Sequence, residues 1–170
     1  LQLEVLDQVR EPKLVVADTM NFWIDSKRDK LLEVLRRVDV LVINEEEARQ
    51  LSGEHHVVQV SKALLAMGPR IVIVKQGEYG ALLFIGEEIF CAPAYPLKAV
   101  ADPTGAGDSF AGGFLGYLSE AGHTDIRQAV ICGSATASFC VQDVGVGALV
   151  ELTREGIESR IRYFREITSF

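Results

Sequence analysis

Between Asp102 and Leu118 the chain reads DPTGAGDSFAGGFLGYL, a stretch that leaves few options for what it can build. Gly105, Ala106 and Gly107 carry little or no side chain, so backbone N–H groups there can come close to a ligand, and a helix starting behind them favours negative charge at its amino end. Such a turn suits a phosphate. Asp108 stands in the same turn, where a carboxylate would repel a resting phosphate; its placement is better explained if it takes the proton of an attacking hydroxyl. Two familiar phosphate motifs do not fit: no GxxxxGK[ST] occurs, and the dinucleotide pattern would need a small residue where Phe110 stands. A plainer reading is a glycine-softened helix entry in which Gly112, Gly113 and Gly116 permit close helix packing.

The rest of the composition narrows the partners. At 170 residues, 48% hydrophobic and 24% charged, the chain can bury a core as one soluble α/β domain spanning 1–170. A net charge of −7 with a pI near 5.0 argues against nucleic acid or an anionic membrane as the main partner and favours a small molecule. Cys91, Cys132 and Cys140 are odd in number, and the last two fall in an apolar helical stretch, as reduced core thiols of a cytoplasmic protein do. No apolar run approaches membrane-spanning length. The opening LQLEVLDQVREP lacks a signal-peptide profile; Leu1, Val5 and Val9 stand at helical spacing, so the chain reads as the later part of something longer.

Taken in order, short apolar runs alternate with amphipathic stretches. KLVVA (13–17), VLVI (40–43) and IVIV (71–74) suit strands buried on both faces. A loop is expected after Asp18, through Asn21 and Trp23, then a helix over 27–38 capped by Asp25 or Ser26, with Leu31, Leu35 and Val38 inward. Asn44-Glu45-Glu46-Glu47 follows the second strand. Read locally, it is a helix start with Asn44 as N-cap and acids in the first turn. A helix over 57–67, striped by Val60, Leu64 and Met67, ends at Gly68-Pro69; His55 and His56 before it are given no role. After the third strand comes Lys75-Gln76-Gly77-Glu78-Tyr79-Gly80, and residues 81–85 and 88–91 read as a hairpin around Gly86-Glu87. Beyond the opening stretch, whose helix carries Phe110, Phe114, Leu118 and Ala121 on one stripe, Thr124 or Asp125 caps a helix striped by Ile126, Val130, Gly133, Ala137 and Cys140. Gly145 and Gly147 mark an exit loop. Thr153 begins a last helix with Ile157, Ile161 and Phe164 inward and several arginines outward. Alternating strands and helices imply a largely parallel sheet covered on both faces, with a ligand site at the carboxyl ends of the strands.

The ordered run Asp-Pro-Thr-Gly-Ala-Gly-Asp, followed by Phe110, Ala111 and Gly112, resembles the C-terminal signature of the PfkB (ribokinase-like) carbohydrate kinases. The resemblance covers nearly the whole chain but only the later half of a typical member. It implies a ribokinase-like α/β fold from which the N-terminal strands, the lid sheet and most sugar contacts are absent. It also implies ATP and Mg²⁺ as cofactors and phosphorylation of a hydroxymethyl group on a sugar or related small molecule by the parent protein. Asp108 would then be the catalytic base, with Gly105, Ala106 and Gly107 stabilising phosphoryl charge. Asn44 and Glu47, as NxxE, would help hold Mg²⁺ and its waters, which the capping reading does not exclude. Gly77 and Lys75 would lie beside the nucleotide phosphates, and Ser134 near the adenine. Asp102 would belong to the monovalent-cation loop of several relatives, with K⁺ as the example; a carboxylate before Pro103 is equally a turn former. A nucleoside or vitamin kinase of the same superfold, and a non-catalytic nucleotide-binding or interaction domain, are the alternatives. A homo-oligomer is compatible with the sequence and not specified by it.

Overall fold

The computed structural model describes residues 2–120, 122 and 124–169; Leu1 and Ala121, each assigned above to a helical stripe, lie outside the described residues. By contacts the chain divides into two compact units, one formed by 1–75 with 82–89, the other by 76–81 with 90–170.

The first unit follows the apolar runs. Helix α1 (Gln2–Gln8) precedes strand β1 (Val16–Asp18), then α2 (Asn21–Ser26), α3 (Arg28–Leu35), β2 (Val40–Asn44), α4 (Glu45–Ser52), α5 (Val57–Ala66) and β3 (Ile71–Lys75). β1 pairs parallel to β2, and β2 parallel to β3, with Asp18 opposite Val42 and Asn44 opposite Lys75. One aspartate helps set this register. The Asp39 carboxylate accepts from the Val15 N–H at 2.9 Å and from Arg70 Nε at 3.1 Å, while its carbonyl accepts from the Arg70 and Ile71 N–H groups, so the amino ends of all three strands meet on one residue. Leu41, Ile43, Val72, Val74, Leu35 and Leu64 close the core.

Two expectations fail here. Residues 21–26 are helical instead of a loop, and neither Asp25 nor Ser26 caps α3, whose N-cap position is Lys27 without a side-chain bond. Ile24 is 3% exposed; burial of its side chain against the sheet core outweighs the poor helix start. α3 also stops at Leu35, although Val38 beyond it is buried as its spacing foretold.

Strands β4 (Ala81–Ile85) and β5 (Glu88–Ala92) flank the turn at Gly86-Glu87, and the five strands make one sheet in the order β1-β2-β3-β4-β5. Parallel neighbours need a crossover of a dozen or more residues, whereas only 76–80 separate β3 from β4 and only Gly86-Glu87 separate β4 from β5, so β1, β2 and β3 form the parallel part of the sheet and the two later pairings are antiparallel. Gly80, just before β4, is held at φ 102°, and a Cβ there would strike the Ala92 carbonyl oxygen. The hairpin thus needs glycine at that position for space as well as for backbone angle.

In the second unit, α6 (Ala106–Glu120) and α7 (Ile126–Cys140) lie against each other, followed by α8 (Gly147–Val150) and α9 (Arg154–Thr168). Asp125 caps α7 by accepting from the Gln128 N–H at 2.9 Å, and Thr153 caps α9 through the Gly156 N–H at 3.2 Å. α8 occupies what was expected to be the exit loop. Ala135, Phe164, Cys132 and Ile161 form a compact core, in which burial pushes the Cys132 thiol up to about 11. All three cysteines are free. Arg154, Arg162 and Arg165 of α9 are exposed, whereas Arg160 is only 8% exposed. Among the described residues no helix is long and apolar enough to cross a membrane.

The glycines of α6 do not share one task. A Cβ on Gly113 would strike the Thr136 hydroxyl, and a Cβ on Gly133 of α7 would lie 2.8 Å from the Phe110 carbonyl oxygen, whereas Gly112 and Gly116 face open space. Gly133→Ala should therefore lower the melting temperature, since an overpacking cost of ~1–3 kcal/mol exceeds the ~1 kcal/mol gained in helix propensity. Gly112→Ala and Gly116→Ala should each raise it, by a gain of ~0.5–1 kcal/mol. Thermal melts of the three variants check the contrast.

Candidate active site

Polar groups gather where the parallel strands of the first unit end. Asn44 closes β2 and caps α4 in the same step: its Oδ1 accepts from the Glu47 N–H at 2.8 Å, and Glu47 Oε2 accepts from the Asn44 N–H at 3.4 Å. This is a capping box, the local reading of NxxE. Glu47 is nonetheless unusual for a capping acid, because it is only 5% exposed. Burial drives its proton affinity up, opposed by the Asn44 N–H; Asp18 adds to the rise and Lys75 works against it.

Lys75, at the end of β3, donates to Asp18 Oδ2 at 2.8 Å, an ion pair that reaches across β2 and leaves the lysine side chain 17% exposed. Asp18 Oδ1 also accepts from the Thr19 N–H at 2.8 Å, and the Thr19 hydroxyl is buried without a hydrogen-bond partner. Asn44, Glu47 and Lys75 are thus brought together, with Asp18 as a fourth member that no motif had singled out. Its only sequence sign was its place directly after an apolar run.

The second unit holds the glycine turn. Asp102 Oδ1 accepts from the Thr104 N–H at 2.9 Å, which holds that carboxyl below the usual carboxylate range and makes Asp102 a turn former. The turn is tied to the end of α7 at two points: the Cys140 thiol donates to the Thr104 carbonyl at 3.5 Å, and the Ala101 N–H donates to the Val141 carbonyl at 2.8 Å. Gly105 has φ 79°, a left-handed backbone that reverses the chain into α6, and a Cβ there would meet nothing nearer than Cys140 Sγ at 3.6 Å. Its glycine is needed for angle, not for room. Ala106 and Gly107 open the helix, and Asp108 in its first turn is exposed. Gly77 begins a 3-10 turn, Gly77–Tyr79, with φ 58°. Ser134 is 8% exposed within α7.

These groups fit the ligands that the sequence suggested. An asparagine and a buried carboxylate carry hard oxygens of the kind that ligate Mg²⁺ or accept hydrogen bonds from its waters. Among the described residues no three His, Cys, Asp or Glu side chains cluster as a metal site, so an ion here would keep much of its water shell. In the small-residue turn at the start of α6 the Ala106 N–H already donates to the Pro103 carbonyl at 3.2 Å, so Gly105 and Gly107 are the better placed of the three expected donors for an anion.

Solved structures give the class first: the fold is the ribokinase-like α/β fold. The ribokinase of Thermotoga maritima superposes with a TM-score of 0.75 at 30% identity, over 94% of this chain and 52% of that one. An Escherichia coli chain assigned as a ribokinase II, solved with ATP and Mg²⁺, gives 0.69 at 29% identity, over 84% and 45%. Residues 6–152 match the pfkB family of carbohydrate kinases, and the chain belongs to that family. The cytidine kinase of Thermococcus kodakarensis is 35% identical over 121 residues, 68% of this chain and 43% of that protein. The chain spans about half the length of the relatives it matches.

Glu47 carries a stability signature that can be measured. Its proton is held more tightly in the folded than in the unfolded chain, so the unfolded chain releases it first as pH rises, and stability falls through that range and stays lower at neutral pH. Glu47→Gln keeps a capping-box acceptor without the buried charge. It should melt above the parent at pH 7, the gap closing as pH drops below the usual carboxylate range; a gap that widens in acid would contradict this account.

Proposed function

We propose that the protein to which this chain belongs transfers the γ-phosphoryl group of ATP to a hydroxymethyl group on a sugar or nucleoside. The observation that carries this reading is the DPTGAGD turn, set at the start of α6 with Asp108 exposed in the first turn, in a chain of the pfkB family. Ribokinase and cytidine kinase among the relatives support an acceptor that contains a ribosyl or similar ring. A nucleoside acceptor, the alternative at the level of sequence, has the cytidine kinase in its favour.

Phosphoryl transfer asks a protein mainly for position and charge stabilisation. In this reading Asp108 accepts the hydroxyl proton as the oxygen attacks the γ-phosphorus, the bond to the bridging oxygen breaks, and ADP leaves. The N–H groups of Gly105, Ala106 and Gly107 stabilise the charge on the transferring group, that of Ala106 leaving the Pro103 carbonyl to do so. Asn44 and Glu47 orient the water shell of Mg²⁺, which when bound offsets phosphate charge. Lys75 and Gly77 take the phosphates of the nucleotide, Lys75 leaving Asp18 to do so, and Ser134 borders the adenine. Asp102, with one oxygen committed to the Thr104 N–H, presents the other to a monovalent cation such as K⁺.

Two experiments on the full-length protein test the assignment. Asp108→Asn should lower kcat by ~10²–10⁴, the usual worth of a general base, while calorimetry finds ATP affinity unchanged. Near-normal turnover would remove Asp108 from the chemistry. Glu47→Gln should raise the Mg²⁺ concentration needed for half-maximal rate even as it raises the melting temperature; a variant more stable and equally responsive to Mg²⁺ would leave Glu47 with the capping box alone. A panel of ribose, fructose and nucleosides then reads the acceptor.

A further inference from the structure

α9 places one arginine inside. Arg160 is 8% exposed, its guanidinium carbon lies 3.3 Å from the centre of the Phe139 ring and 4.4 Å from that of Tyr95, and burial lowers its proton affinity. Nη1 donates to the Ser138 hydroxyl and Nη2 to Gln142 Oε1. Among the described residues no carboxylate is within ion-pair distance of it. A buried cation held only by neutral acceptors is unfavourable beside an apolar side chain of the same volume, so packing alone does not account for arginine here.

What arginine supplies is a rigid fork. Its two acceptors, Ser138 and Gln142, bracket Cys140 and Val141, the two residues that hold the glycine turn through Thr104 and Ala101. The end of a helix frays unless it is tied, and a cation at a helix carboxyl end is also favoured by the helix dipole. We propose that Arg160 is a positioning residue: by clamping the last turn of α7 it fixes the point from which the Asp102–Gly105 turn hangs. The clamp is read from side-chain contacts; its importance for nucleotide rests on the phosphate role proposed for the turn.

Amide hydrogen exchange of the chain tests the clamp without any ligand. The ratio of exchange at Ala101, whose N–H is bonded to Val141, to that at Leu118 inside α6 should rise about tenfold in Arg160→Met, as expected for losing a charge-assisted hydrogen bond. Arg160→Lys should rise alike, because one ammonium cannot span both acceptors, while Val130→Ala, a cavity in α7, should move both amides together. Gln142→Ala, at an exposed position, loosens one arm and should raise the same ratio even if Arg160→Met does not fold. A parent-like ratio in Gln142→Ala and Arg160→Lys, or full restoration by lysine, would overturn the proposal. In the full-length enzyme the clamp variants should raise KM for ATP and leave KM for the acceptor unchanged. A raised exchange ratio with unaltered ATP affinity would instead count against the phosphate role of the turn and leave the clamp standing.

Discussion

The backbone contact between α6 and α7 is the constraint on which the second unit depends. It exists because two glycines lie at the crossing: Gly113 leaves space for Thr136, and Gly133 lets the Phe110 carbonyl approach. Phe110 and Phe114 are then buried, at 4% and 0% exposed, with the Phe110 ring against Gly133. The axis of α6 follows from this contact, and so does the site of its first turn, where Gly105, Ala106, Gly107 and Asp108 sit. The turn is doubly fixed, from one side by the helix it opens and from the other by Cys140 and Val141 at the end of α7. For the phosphate role proposed above this is an advantage, because donors fixed in advance need little reordering when the ligand arrives.

The first unit reaches order by a different route. Asp39 joins the amino ends of β1, β2 and β3, and with parallel pairing this register carries Asn44 and Lys75 to adjacent positions at the other end. What gathers there is not what stability alone would select. A glutamine would complete the capping box without a buried charge, and an apolar pair would replace Asp18 and Lys75 without desolvating two ions. The chain keeps a carboxylate whose ionisation is disfavoured and a lysine nearly sealed against an acid. That pattern is expected where charge is kept for a ligand, and it agrees with the family to which the chain belongs.

Much of this was legible in the residues. Strands β2 and β3 are continuous apolar runs up to their last residue, whereas β1 takes only Val16–Asp18 from the end of its run and is half-buried, and the caps at Asn44, Asp125 and Thr153 are short polar side chains directly before helical periodicity. The failures share one cause, contacts made far away in sequence. α2 forms despite a poor start because Ile24 finds a core built from later strands. The Asp18–Lys75 pair joins residues 57 apart, and nothing in either neighbourhood announces it. Gly113 cannot be told from Gly112 or Gly116 until α7 is in place, and Arg160 looks like one more solvent-facing arginine until Tyr95 and Phe139 close on it.

The two acids of the proposed site show why spacing identified them and yet left their behaviour open. Glu47 and Asp108 both stand in the first turn of a helix, where the amino-terminal dipole favours negative charge. Their surroundings then diverge. Glu47 is sealed beside Asp18 and Lys75 and answers to burial, whereas Asp108 is exposed at the mouth of a turn with no packing over it. A group that orients water around a metal ion profits from being locked in place, and a group that must reach a hydroxyl entering from outside profits from being open. Phosphoryl transfer through a loose transition state asks for little proton abstraction before the phosphoryl group has moved, so an exposed carboxylate suffices as the base provided the hydroxyl is placed against it. Burial thus separates two acids that local sequence makes alike, and it does so in the direction that their proposed roles require.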